Sequence, residues 1–447
     1  MTPEKDFMTV DFGDKRLNKR LIKFVEESRK RARESILGST EKRSTAKAYY
    51  RLLRNDKFDI EQIQEAEKKA TISRMRGTVL LIQDTTDINL NGHKKTEGIG
   101  YCSEHVRGIK QHSCIAVSPE GIAHGILAQY YETREEAKSK TTRAEKEARQ
   151  IEEKESYRWI KMLEESTKEI PEEIRVITIC DREGDFYELY AKAMELEKDF
   201  VIRVTHDRNA EDNEKTASKI RNTKAIGKVR VNIPRDTRRN IPARQTEMEI
   251  AYCQVSIKKP VNVKDERVAE IISINLVRIT ETTPVDGEKP IEWILATNIS
   301  LCNNEDAMTI VEYYIQRWKI ERFHYVLKSG CNAEKIQQRS YDTIKPVLFI
   351  YSVIALYIMT ITYLGRVTPD LKCDMFLDED EWKILYCIAN KTKTPPHISY
   401  SLSVAINYLG QLGSYKRAPS DGPPGLKAIW KGLFVLYQAM DLYSVFY

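Results

Sequence analysis

Helical and strand periodicities alternate along the chain in blocks. After Asp14, a residue type able to cap a helix, the apolar positions Leu17, Leu21, Phe24 and Val25 recur at helical spacing, and the other faces are basic. Ala46–Arg54 (AKAYYRLLR) continues with a second helix, and Asp59 followed by Gln62 resembles a capping box opening a third. The texture changes at Thr78. Val79–Ile82 is a continuous apolar run ending in Gln83-Asp84, and His112–Val117 and Gly125–Gln129 follow as strands. The mixed charges of Arg134–Arg158 predict a solvated helix. Val176–Cys180, ending in Asp181, and Phe200–Val204 are two more strands. From about Lys228 to Leu295, alternating Val and Ile with intervening turns predict a β-rich insertion. After Asn304 the pattern is helical to the end, broken at Pro419–Gly425.

A length of 447 residues implies two or three domains, and 41% hydrophobic with 31% charged residues excludes collagen-like and wholly disordered classes. Eight cysteines with no CxxC pair exclude a disulfide scaffold and argue against structural zinc. The start, MTPEKDFMTVDFGDKR, has charges where a signal peptide needs an apolar run, so a cytoplasmic protein is expected. Val347–Leu364 meets the length criterion for a membrane span. Its Tyr, Ser and Thr interruptions, and the lack of a second such segment, favour a buried helix and no membrane partner.

Charge changes the picture more. The net charge is +6, yet Lys15–Arg33 alone holds nine Lys/Arg against Glu26 and Glu27. Lys228–Arg244 holds six basic residues against Asp236. Positive charge concentrated in this way attracts phosphate backbones through counterion release, which points to a nucleic-acid partner.

Asp84 and Asp181 both stand where an apolar strand terminates, the place where open α/β sheets set ligands and metals. Helix caps or surface groups would account for two such aspartates equally well. Glu312–Lys328 (EYYIQRWKIERFHYVLK) has no Gly or Pro and reads as one helix. On a helical wheel Tyr314, Arg317, Glu321 and Lys328 share a stripe about 60° wide, with Ile320, Phe323 and Leu327 on the opposite face. Such a helix would bury one side and present an acid, two cations and a phenol on the other. Two Asp and one Glu offer all-oxygen ligation suited to Mg²⁺ or Mn²⁺, and two such ions suit an in-line phosphoryl displacement.

Tyr314-x2-Arg317-x3-Glu321-x6-Lys328 resembles the signature of the insertion-sequence-four family of DDE transposases, and the chain looks most similar to the transposon-five-type cut-and-paste branch. The likeness includes Asp84-Thr85-Thr86, Glu152–Trp159 (EEKESYRW), Cys180-Asp181-Arg182-Glu183, Pro242-Ala243-Arg244, Arg317–Glu321 (RWKIE) and Lys328-Ser329-Gly330. Near the start, Ala48–Asn55 (AYYRLLRN) resembles the family's DNA-binding region.

The resemblance implies an α/β fold, an RNase H-like catalytic core with a β-rich insertion between two helical domains. It divides the chain into a DNA-end-binding domain at 1–72, a catalytic domain at 73–366 with the insertion at about 205–298, and a dimerisation domain at 367–447. It makes Asp84, Asp181 and Glu321 the catalytic ligands of two Mg²⁺ ions, for which Mn²⁺ can substitute. Tyr314, Arg317, Lys328, Arg203 and Arg244 become DNA contacts, together with Lys15, Arg16, Lys19, Arg20 and Lys23 on the first helix. Trp293 aligns with the tryptophan on which such enzymes stack a flipped base, although a strand tryptophan can equally fill a core. The expected partners are double-stranded DNA, both terminal inverted repeats and target, and a second protomer docked through Ile398–Leu412 and Leu426–Leu442. The implied bacterial, nucleoid-associated enzyme nicks the transposon end, forms and opens a hairpin, and joins the 3′-hydroxyl to target DNA. Two alternatives are a metal nuclease on the same fold without strand transfer and a catalytically silent, transposase-derived DNA-binding protein. Asp87, Glu183, Asp185, His324 and Cys180 are set aside as caps, salt-bridge partners or packing residues.

Overall fold

A computed structural model describes residues 2–135, 149–233, 241–416 and 422–446. Much of the charge-dense run after Arg134, the centre of the second basic cluster and part of the Pro/Gly stretch lie outside the described residues. In chain order come α1 (Pro3–Asp6), α2 (Lys15–Lys30), α3 (Arg43–Leu52), α4 (Ile60–Arg74), β1 (Thr78–Asn89), β2 (Gly108–Val117) and β3 (Ala123–Glu132). They are followed by α5 (Tyr157–Thr167), β4 (Arg175–Cys180), α6 (Tyr187–Glu195), β5 (Asp199–Arg203), α7 (Thr216–Asn222), β6 (Gly227–Ile233), β7 (Arg244–Lys258), β8 (Ile271–Glu281) and β9 (Glu292–Thr297). The last are α8 (Asn304–Ile315), α9 (Trp318–Tyr325), α10 (Tyr341–Val367), α11 (Glu379–Asn390), α12 (Leu402–Leu412) and α13 (Leu426–Phe446).

Two compact units cut across these segments: Met1–Met75, Thr85–Ser139 and Lys319–Tyr447 in the first, Arg76–Asp84 and Lys140–Trp318 in the second. In the second unit the strand order is β1-β4-β5-β9-β8-β7-β6. β1, β4 and β5 run parallel, whereas β5–β9–β8–β7–β6 are antiparallel neighbours. The β-rich insertion is therefore a continuation of the sheet that holds β1, β4 and β5. Its strands cover one apolar cluster in which Ala251, Val255, Ile274 and Leu276 meet Trp159, Tyr187, Tyr190 and Phe200. Of the solvated helix expected at Arg134–Arg158, the described end is a 3-10 turn at Ile151–Glu153, and only Tyr157 and Arg158 are helical, as the start of α5, whose Trp159, Ile160 and Leu163 are buried.

In the first unit β2 and β3 form an antiparallel hairpin beside the second half of β1. The long apolar run is α10, whose N-terminus is closed by a Ser340–Thr343 capping box. It is buried along most of its length and packs on β3, α2, α12 and α13. The predicted N-terminal helices are present. Asp14 accepts from Arg16 N at 2.8 Å to cap α2, with Leu17, Leu21, Phe24 and Val25 buried, and Asp59 caps α4 through Glu61 N at 2.8 Å.

Two buried ionic clusters tie this unit together. The Arg29 guanidinium, from α2, donates to Glu4 at 3.2 Å, Asp378 at 3.1 Å, Glu381 at 2.8 Å and the Tyr437 hydroxyl at 2.7 Å. Burial opposes its charge, but Tyr437, Glu381, Tyr357 and Glu4 outweigh that and hold its pKa above the ordinary value. Removing one partner of such a buried pair costs about 3–5 kcal/mol.

The second cluster joins α4 to β3. Arg74 bonds Asp6 and the His124 carbonyl, each at 2.7 Å, and Glu67 accepts from Ile126 N at 3.1 Å. Gly125 is required there, since a Cβ would stand 1.9 Å from Thr71 Oγ1. Burial, with the charge of Asp6, pushes the Glu67 carboxyl up to about 8 against the pull of Arg74. The folded state thus keeps a proton that the unfolded chain releases near the ordinary value of 4.5. This contribution to stability is complete below about pH 4.5 and is lost as pH rises through about 8. Thermal melts of wild type minus those of Glu67→Gln should show that loss between pH 5 and 8. A pH-independent difference would contradict it.

Candidate active site and nucleic-acid interface

The site of the second unit is built by strand register. Ile82 of β1 pairs with Ile179 of β4, and Ile179 with Val201 of β5. Because side chains alternate with a period of two, residues two positions further on return to the same face. Asp84, Asp181 and Arg203 are those residues, so they form a row across three parallel strand ends, roughly 5 Å apart from strand to strand. Arg203 is in turn registered with Leu295 of β9, and Trp293 is two residues from Leu295 on the same face. The turn after Asp181 is tight. Asp181 accepts from Glu183 N at 2.8 Å, and a Cβ on Gly184 would stand 2.6 Å from the Cys180 Cβ.

A cationic and aromatic wall faces this row. Arg317 Nη1 lies 3.7 Å from Asp84 Oδ2. The Arg317 guanidinium is 6.0 Å from the Tyr314 ring centroid, and Arg203 is 5.8 Å from that of Trp293. Trp293 and Tyr314 meet edge to face at 5.5 Å. Burial pulls the Arg203 pKa below its ordinary value, and the charges of Arg182 and Arg317 add to the effect. Burial raises the Tyr314 hydroxyl despite Arg317 and Arg203, with Asp181 also raising it.

The single helix expected over Glu312–Lys328 is two helices. α8 ends at Ile315, Gln316 and Arg317 form a turn, α9 begins at Trp318, and a π-turn follows at Val326–Gly330. Tyr314 and Arg317 are therefore buried, whereas Glu321 on α9 is exposed and Lys328, in the π-turn, is half-buried. The turn aims Arg317 at Asp84, which a straight helix with a solvent-facing stripe would not do. Asp84 and Asp181 offer the paired oxygen donors that a hard divalent cation takes. Among the described residues, no group of three or more His, Cys, Asp or Glu side chains is gathered closely enough to hold a metal ion.

Other candidates divide. Lys15, Arg16, Lys19 and Lys23 are exposed on α2 with Arg20 half-buried, although Lys23 lies 3.7 Å from Glu27. Arg244 is committed to Glu281 at 2.9 Å, and Trp293 is buried beneath Tyr314 and Arg203. The apolar residues of α12 and α13 expected at a protomer interface are largely spent within the unit, since Leu402, Ile406, Leu409, Ile429, Trp430 and Leu436 are buried. Ile398, Val435 and Leu442 are exposed.

Two features were not singled out from the sequence. Asp185, set aside above, is buried and accepts from Tyr190, from Thr205 N and His206 N, and from Arg208, anchoring the segment after Arg203. Its signal was an acid four residues after Asp181 with no helix to cap. In the first unit, Lys47, Tyr50, Arg51, Arg54, Lys57 and Arg339 line an open groove of about 1200 Å³. The run of four cations from Lys47 to Lys57 marks it in the sequence.

Three family models match the chain. "Transposase DNA-binding" covers residues 3–58, "Transposase DDE domain" residues 75–358 and "Transposase Tn5 dimerisation domain" residues 353–441. Among solved structures, the piggyBac transposase synaptic complex with hairpin DNA is 10% identical, with 73% of this chain and 55% of that one covered at a TM-score of 0.33. The chain thus spans about half the length of that protein, and the likeness is too slight to carry a structural argument.

The turn at Gly184 yields a direct check of the site's construction. Gly184→Ala should force the Cys180–Asp181 backbone apart and lower stability by about 1–3 kcal/mol in a denaturant titration. An unchanged midpoint would show that the turn is slack.

Proposed function

The chain belongs to the DDE transposases, and on that footing we propose that it binds the ends of a DNA element, pairs two of them as a homodimer, excises the element and joins its 3′-hydroxyl ends to target DNA. The observation that carries this reading is the row of Asp84, Asp181 and Arg203 at parallel strand ends, with Arg317 against Asp84. Asp84, Asp181 and Glu321 are assigned as the ligands of Mg²⁺, two ions per site. When bound, such ions would activate the attacking water or hydroxyl and stabilise the leaving oxygen.

The chain's own residues supply the rest. Arg203 and Arg317 hold the phosphate against the carboxylate row, where a guanidinium can bond two phosphate oxygens at once. Tyr314 stiffens both, because its ring lies beneath Arg317 and its hydroxyl interacts with Arg203. Lys328 and Trp293 are assigned to the DNA near the cut, Trp293 only after the Tyr314–Arg203 cover opens. The cations of α2, and the groove of Lys47, Arg51, Arg54, Lys57 and Arg339, hold the phosphates of the element's end. Nicking, hairpin formation, hairpin opening and joining are each an in-line displacement at phosphorus, so one carboxylate set serves all four.

The test uses full-length protein, a duplex carrying the element's own end, and Mg²⁺. Asp84→Asn, Asp181→Asn and Glu321→Gln should each lower cleavage and joining by at least about a hundredfold while retaining end binding. Cleavage by wild type without joined product would leave a nuclease, and inert wild type that still binds would leave a DNA-binding protein. Replacing Arg51 and Arg54 with Gln should instead weaken end binding and flatten its salt dependence by about one phosphate contact per residue. An unchanged slope would remove the groove from the interface.

A further inference from the structure

Within the first unit, α9 and α10 bring three cations to one aromatic ring. Lys319 Nζ sits 3.5 Å from the ring centroid of Tyr363, and the Arg366 guanidinium lies 5.2 Å from the same centroid. Arg322 is close enough to both Tyr363 and Arg366 to act on them electrostatically. Lys319 and Arg322 are three residues apart and so share a side of α9. Among the described residues, no carboxylate forms an ion pair with Lys319, Arg322 or Arg366, and none figures among the charges acting on Lys319 or Arg366. Arg366 donates to the Pro424 carbonyl at 2.7 Å, which fixes its position and leaves its charge uncompensated. Burial pulls the Arg366 guanidinium below its ordinary value, and Arg322 adds to the effect.

Like charges held together in this way repel, and a cation–π contact with one phenol ring offsets only part of that repulsion. Surface cations usually relieve such repulsion by swinging apart or by finding acids. Here Lys319 and Arg366 are held in place by Tyr363 and by Pro424, while both Arg322 and Arg366 are exposed to solvent. The arrangement suits an anion with several acceptor oxygens, because Arg322 and Arg366 present planar forks and Lys319 a point charge. Lys319 and Arg322 also flank Glu321 on the same short helix. Arg322 lies about 100° round the helix from Glu321 and Lys319 about 160° away, so a strand that crosses α9 after Glu321 meets Arg322 first and Lys319 beyond it.

We propose that Lys319, Arg322 and Arg366, braced by Tyr363, form a phosphate-binding subsite for the DNA strand that passes Glu321, separate from the Arg203–Arg317 pair. The existence of the anion site rests on this cluster alone, and its assignment to DNA rests on the function proposed above.

Binding of the full chain to a 40-base-pair duplex, measured in metal-free buffer from about 50 to 300 mM salt, tests it. Arg322→Gln, at an exposed position, should reduce the slope of log affinity against log salt by about one, and Arg322→Gln/Arg366→Gln by about two. Affinity near 0.15 M salt should fall several-fold per substitution, with melting temperatures unchanged for Arg322→Gln. Arg322→Lys should keep most of the wild-type slope, which a merely structural role would not predict. If wild type binds with a steep slope and both variants match it, the subsite does not exist. If wild type shows no salt-dependent duplex binding, the proposed function fails first and the DNA assignment with it.

Discussion

The parallel register of β1, β4 and β5 is the constraint from which the candidate site follows. Parallel strands end at the same edge, and the twofold alternation of side chains returns Asp84, Asp181 and Arg203 to one face at one level. A slip of one residue in either pairing would turn an acid to the opposite face. Both faces of β1 and β4 are buried, through Val79–Ile82 and Val176–Ile179, so close packing on each side holds that register. The geometry of the candidate site and the packing of the core are here one requirement.

Charge balance is the second theme of the second unit. Two aspartates at neighbouring strand ends repel one another, and Arg317 approaches Asp84 to offset part of that. Burial lowers the pKa of Arg203, and the nearby charges of Arg182 and Arg317 add to that effect. A site holding both signs at high density is suited to exchanging its internal pairs for a cation at the carboxylates and a phosphate at the guanidiniums. Tyr314 and Trp293 keep the arginines in place by covering their planes, which would reduce the side-chain entropy lost on binding an anion.

The first unit shows a different economy. One of its buried charges, Arg29, ties α1 and α2 at the beginning of the chain to α11 and α13 near its end. Segments matched by the DNA-binding and dimerisation models are thereby parts of one packed body. Much of the apolar surface near the C-terminus is consumed inside that body. The apolar residues left exposed there include Ile398, Val435 and Leu442, rather than the apolar stripes seen in the sequence.

Local chemistry was legible in the sequence wherever one element decides it. Apolar runs gave the strands, since a buried parallel strand needs no alternation, and the caps at Asp14 and Asp59 follow from side-chain oxygens beside free backbone N–H groups. The acids at strand ends, the basic first helix and the family signature were readable for the same reason, being properties of neighbouring residues. The break at Gln316–Arg317 was not, because nothing in EYYIQRWKIERF forbids a straight helix. The turn is worth its lost backbone bonds only when Tyr314 and Arg317 have Trp293, Arg203 and Asp84 to pack against. Nor could Arg244, Asp185 or Lys319 be assigned in advance, since their partners Glu281, Arg208 and Tyr363 lie 23 to 44 residues away along the chain. Sequence determined which groups this protein possesses and which elements carry them. Tertiary structure alone decided which charges meet, because electrostatic partnership depends on distance in space, and that distance is set by strand register and helix packing.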